Sequence, residues 1–290
     1  MIGWLRNTFQ RASSRTPPPT LPEDLWQATL ATFPFLDGLA PDAKSRLREL
    51  SAAFLRDKEF HGADGMQVTD AMALAVAAQA CLPLVYLAPV GRLRDALRWY
   101  DDFVGIVLHP GEVLARREVT DDDGVVHHYR EALTGEAMDG GPVMLSWSDV
   151  AAADETAEHG YNVVIHEFAH KIDLKNGDID GCPPLPPGFL GSSNAAEARA
   201  IWMNHLQQEY NTFSDRVRAA QRFEGLAEEP WMDPYAMESP SEFFAVAIEA
   251  YLVNPVRLAA DSPGLHRLID AFFRPAKFAG QCSQYAPDTV

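Results

Sequence analysis

Residues His166-Glu167-Phe168-Ala169-His170 combine side chains and spacing suited to metal chemistry. On a helix, positions i and i+4 lie about 40° apart around the axis, so both imidazoles can reach one metal ion from the same face. Glu167 borders that face and can take a proton from a water held by the metal, the arrangement for metal-assisted hydrolysis. The flanking residues Val163, Val164, Ile165, Phe168, Ala169, Ile172 and Leu174 are apolar on almost every side, as in a buried helix. Two histidines and a glutamate in such a place need something to bind or pair with them.

This HExxH spacing is the signature of zinc-dependent peptidases. A catalytic zinc takes three protein ligands and keeps one position open for water. Two carboxylates compete for the third place. Asp173 shares the helical face, three residues after His170, but a ligand one turn further along overshoots a metal held by an i,i+4 pair. Asp173 is better placed to accept a proton from a ligand imidazole or a neighbouring group. Glu242 is the stronger candidate, because it opens an apolar helix that Ser239 or Ser241 can cap. Glu249, two turns on, shares its face and can hold a ligand histidine. A first-turn glutamate is also favoured by the helix dipole alone, which is the competing reading of Glu242.

The elements around these residues are partly legible. Helices are expected over 23–33, over 41–54 with Pro41 near the start, and from a Thr69 cap to Cys81, where Pro83 closes the third. A β-rich stretch follows, with strands over 103–108, 112–118 and 125–131 and an edge strand from Pro142 to Trp147. The metal helix is expected from about 160 to 175, stopped by Asn176-Gly177. Residues 178–193 hold four prolines and read as loop. Helices then follow over 195–223, 241–253 and 262–273. The expected organisation is a flexible arm and Pro-rich linker over 1–22, a single domain over 23–275, and a loose tail over 276–290.

Composition narrows the function classes. A net charge of −17 argues against direct nucleic-acid binding, since phosphate contacts need a basic face. Three separated cysteines, Cys81, Cys182 and Cys282, give neither a disulfide framework nor a cysteine zinc site, and suit a reducing cytoplasm. Cys182, twelve residues after His170, is the one cysteine near enough in sequence to close a structural zinc site; the glutamate inside the motif favours catalysis. No secretory signal or transmembrane span is expected.

Several segments together carry a family resemblance. They are HEFAH with Lys171-Ile172-Asp173 and Asn176-Gly177-Asp178, Tyr235-Ala236, Ser239-Pro240-Ser241-Glu242-Phe243-Phe244-Ala245, Trp99 to Phe103, and Gly141 to Trp147. The chain resembles the Mlc titration factor A family of zinc peptidases, and its pairing of HExxH with a late Tyr and Glu is similar to the anthrax lethal factor protease domain. The resemblance covers roughly residues 40–275. It implies an α+β fold, mainly helical and zincin-like, with a small mixed β-sheet beside the HExxH helix. It implies one Zn2+ held by His166, His170 and Glu242, with Glu167 as general base and Tyr235 facing the open metal position. It also implies a cytoplasmic protein that cleaves small peptides with aminopeptidase-like preference and binds a glucose-responsive repressor of the Mlc type. The segment between His170 and Glu242 departs from the family pattern in a Pro-rich insertion around 182–187.

Overall fold

Prolines set the starts of the first helices. Pro22 caps α1 (Glu23–Thr32), Pro34 opens α2 (Pro34–Asp37) and Pro41 opens α3 (Pro41–Asp57), each where a missing N–H is harmless. The computed structural model describes residues 20–87, 92–111, 114–120, 126–132, 141–223 and 229–275. Most of the expected amino-terminal arm and the expected tail from 276 lie outside them. In α4 (Asp70–Leu87) every residue from Met72 to Val85 is buried, the pattern of an interior helix. Thr69 caps it, accepting the Met72 N–H at 3.2 Å. The helix does not close at Cys81 as expected but runs through Pro83 to Leu87, and the next described helix is the short α5 (Leu93–Ala96). Proline removes one backbone donor, and burial of Leu82, Leu84 and Val85 outweighs that loss. By length and composition this helix could cross a membrane, and 78% of it is buried inside the fold.

The mixed sheet expected from the sequence resolves into two parts. Strands β1 (Glu59–Gly62), β2 (Gly105–His109) and β5 (Val143–Ser146) form a parallel sheet in the order β1-β2-β5, with Phe60 beside Ile106 and Ile106 beside Val143. Strands β3 (Leu114–Thr120) and β4 (Val126–Ala132) form a separate antiparallel pair. The short β1 was not expected. Strand β5 is an edge strand but ends at Ser146, one residue early, because the Ser146 hydroxyl accepts the Asp149 N–H and starts α6 (Trp147–Ala151). A further short helix, α7 (Ala153–Ala157), follows.

The histidine helix α8 (Val163–Asp173) starts three residues later than expected, because Asn162 is extended and its side chain caps the Ile165 N–H. Residues Leu174–Asn176 tighten into a 3₁₀ turn that Gly177 ends at φ 97°. Then come α9 (Ala195–Arg222) and α10 (Pro240–Val253). The expected last helix is α12 (Pro263–Phe273), and before it stands a short helix that was not expected, α11 (Pro255–Asp261); each has a proline at its start.

Helix α8 is held from two sides. Phe168, the middle residue of HEFAH, packs edge-on to Tyr100 at 4.8 Å between ring centroids, and against Phe54 and Phe103 at 5.7 and 5.8 Å. Lys171 pairs with Asp102 at 2.9 Å, and Lys175 pairs with Asp101. The segment Trp99 to Phe103 therefore fixes the rotation of α8 by two rings and two carboxylates. On the opposite side α10 packs along α8. Gly181 joins three helices: its N–H donates to Asp173 at 2.7 Å and its carbonyl accepts the Trp202 indole at 2.7 Å. Its φ is +80°, and a Cβ there would lie 2.7 Å from the Pro240 carbonyl oxygen.

Candidate metal centre

The helices bring His166, His170 and Glu242 together. Helix α8 supplies the two imidazoles from one face. Helix α10 supplies Glu242 from its first turn, where Ser239 accepts the Glu242 N–H at 3.1 Å and fixes the start. The two Nε2 atoms lie 3.2 Å apart, and the Glu242 Oε2 lies 3.0 Å from His166 Nε2 and 3.3 Å from His170 Nε2. These three are the group of donors able to hold a metal ion among the described residues.

The donor set fits a zinc ion. Ligand atoms of a tetrahedral zinc, each about 2.0–2.1 Å from the metal, lie roughly 3.4 Å from one another. The observed edges of 3.0 to 3.3 Å are close to that. The chemistry agrees. Glu249 Oε1 lies 2.6 Å from His166 Nδ1; a carboxylate accepts, so Nδ1 donates and Nε2 of the neutral ring presents a lone pair. That lone pair faces a carboxylate and a second imidazole. Without a metal a proton on an imidazole holds these donors together, and a metal cation would take its place.

Electrostatics point the same way. Burial opposes charge on His166, but the Glu249 carboxylate outweighs it and draws the ring well above the usual histidine range in the metal-free protein. Burial also opposes ionisation of Glu242, and the hydrogen bonds of the two histidines overcome it, holding the carboxyl well below the usual range. Glu167 is pushed up to about 7 by burial, with the histidines pulling back. Its Oε1 is buried with no hydrogen-bond partner among the described residues. The Tyr161 phenol is held far up by burial and then by the carboxylates of Glu249, Asp149, Asp233 and Glu167.

The remaining expected residues are placed as follows. Glu249 is fully buried and accepts the Asn162 backbone N–H through Oε2. Asp173 is fully buried; its Oδ2 accepts the Gly181 N–H, and its Oδ1 has no partner among the described residues. Tyr235 sits on a 3₁₀ turn, Pro234–Met237, 38% exposed, its ring 6.0 Å from that of His166. Sequence reasoning missed Asn162 and Gln79. The signals were a capping residue directly before the apolar helix and a lone glutamine inside an otherwise apolar one. A cavity of about 390 Å³ lies apart from this centre, between the Pro-rich loop and the start of α9, and none of the candidate site residues lines it.

Two histidines and a glutamate on one helix, joined by a glutamate from a second, belong to the metallopeptidases. The chain is a member of the glucose-regulated metallo-peptidase M90 family, whose sequence profile matches residues 6–274. It is 30% identical over 254 residues to Mlc titration factor A of Klebsiella pneumoniae (strain 342), covering 86% of this chain and 85% of that one. It is 29% identical over 275 residues to Mlc titration factor A of Pectobacterium atrosepticum, covering 94% and 92%.

Proposed function

We propose that the protein is a zinc-dependent peptidase acting on small peptides, with aminopeptidase-like preference, and that residues 23–275 form its single domain. The observation that carries this is the convergence of His166, His170 and Glu242 beside the buried Glu167 Oε1, which has no hydrogen-bond partner among the described residues. His166, His170 and Glu242 would hold the zinc, which would supply a Lewis acid for the scissile carbonyl and acidify water at neutral pH. Glu167 takes the proton of the attacking water and hands it to the leaving amine. Its burial beside the three donors supports this role, since a carboxylate shielded from water and held next to the metal position is placed to accept a proton there. Tyr235 donates its hydroxyl to the developing oxyanion. The edge strand β5, packed near α8, offers backbone groups to an extended peptide. Metal analysis of the purified protein and of Glu242→Ala, joined to digestion of a peptide library, tests the reading. Stoichiometric zinc at unchanged affinity in the variant excludes Glu242 as a ligand.

A second reading is supported by the name of the relatives, Mlc titration factor A. In it the protein binds and sequesters a transcriptional repressor of the Mlc type, and peptide hydrolysis is minor. The proposed setting is the cytoplasm, consistent with the free thiols of Cys81 and Cys182. Binding of a purified Mlc-type repressor by wild type and Glu167→Gln alike, with no peptide turnover by wild type, favours this reading over the first.

A further inference from the structure

Gln79 is the one polar side chain in the buried stretch of α4 from Met72 to Val85. Both ends of its amide are bonded: Nε2 donates to the Ala75 carbonyl at 3.1 Å, and Oε1 accepts from Asn162 Nδ2 at 2.7 Å. Asn162 is fully buried as well and bonds in three directions. Its Oδ1 caps α8 by accepting the Ile165 N–H at 2.9 Å, its Nδ2 goes to Gln79, and its backbone N–H donates to Glu249 Oε2. The other oxygen of Glu249 accepts a hydrogen bond from His166 Nδ1–H. Four buried residues thus connect the middle of α4 to the histidine, through side chains except at Asn162, whose backbone N–H makes the link to Glu249.

A cap needs only an acceptor, and serine or aspartate serves as well as asparagine. The amide half of Asn162 adds nothing to capping and is spent on Gln79. A glutamine in an apolar helix is in turn unfavourable unless its amide is satisfied. The pair therefore does something other than start the helix. It fixes the rotation of residue 162, whose extended backbone aims its N–H at Glu249. A carboxylate held at one oxygen presents the other in a set direction.

We propose that Asn162 and Gln79 are positioning residues for the metal centre. Together they direct the Asn162 backbone N–H, which orients the Glu249 carboxylate and through it the ring and tautomer of His166. The inference rests on the reading of His166 as a metal ligand.

Asn162→Ser in the full chain is the test, because serine keeps the cap acceptor but cannot reach Gln79. Gln79→Met, similar in length, removes the partner from the other side, and the double variant leaves neither group unpaired. Three quantities are read: zinc affinity by competition with a chelator, thermal unfolding of the metal-free protein, and the His166 Nδ1–H signal in the metal-free protein by nuclear magnetic resonance. Each single variant is expected to weaken zinc binding about tenfold or more and to shift or broaden the His166 signal. The double variant is expected to bind zinc as weakly as either single one while regaining stability. Zinc affinity within twofold of wild type with an unmoved His166 signal, and only a lower unfolding temperature, overturns the proposal. If Asn162→Ser fails to fold, Gln79→Met carries the same readouts. If wild type binds no zinc, the metal assignment fails, and the His166 signal alone decides whether Asn162 and Gln79 orient Glu249: unmoved, it overturns the proposal.

Discussion

Glu249 Oε1 and His166 Nδ1 lie 2.6 Å apart with the carboxylate wholly excluded from solvent. The bond joins the third turn of α10 to the first turn of α8, and it decides which nitrogen of His166 is free for a metal. Burial pushes the Glu249 carboxyl up, and the histidine and the Asn162 N–H pull it back. A buried acid in that position is justified by what it orients, since an isolated one would be costly.

Glu249→Gln should therefore weaken zinc binding by about 10- to 100-fold while the helices stay intact. The amide keeps the shape but carries no charge to draw the Nδ1 proton. Chelator competition reads the affinity and circular dichroism the helices. Wild-type affinity in the variant would show that His166 is oriented by something else.

Glu167→Gln separates chemistry from binding. The glutamine cannot take a proton from the attacking water, so nearly all peptide hydrolysis should go while zinc content stays at the wild-type level. Turnover within a factor of a few of wild type would falsify the assignment of Glu167 as base.

The site was more legible in the sequence than the frame around it. His166, Glu167 and His170 share one helix, so spacing alone puts them on one face. Glu242 could be found because a cap and a proline announce its helix. The link from Gln79 to Asn162 spans 83 residues and leaves no local pattern. Strand β1 has only four residues, too few for alternation to speak, and it forms because β2 offers it a parallel edge. Pro83 misled because local chemistry favours a stop there and tertiary burial overrides it. The last helix was legible because Ser262 and Pro263 mark its start, whereas α11 has only seven residues, too few for a helical period to show.

Asp173 gives the metal-free protein a pH dependence of unusual sign. Burial pushes its carboxyl from 3.8 up to about 6, with the Gly181 N–H pulling back. Between pH about 4 and 6 the folded chain holds a proton that the unfolded chain releases, so unfolding free energy falls as pH rises through that window. Above it the burial penalty is complete, about 3 kcal/mol for a shift of roughly two units. Asp173→Asn retains an acceptor for Gly181 and removes the titration. The metal-free variant should be the more stable at pH 7, with the difference vanishing near pH 4. Urea unfolding across this range measures it, and an unchanged slope in the variant would mean that the carboxyl is already ionised at its ordinary pH.

Tyr235 is the sharpest test of the catalytic reading. It is partly open to solvent, its ring stands 6.0 Å from that of His166, and its backbone N–H is pinned to Asp233 at 2.9 Å. The backbone bond persists in Tyr235→Phe, which removes only a hydroxyl, so folding and zinc content should survive. If that hydroxyl meets the oxyanion as it develops, kcat should fall about a hundredfold with little change in KM. A loss confined to KM would make Tyr235 a residue that places the substrate. No change in either would reduce it to a packing contact beside His166, leaving the oxyanion to be met by the metal or by another donor.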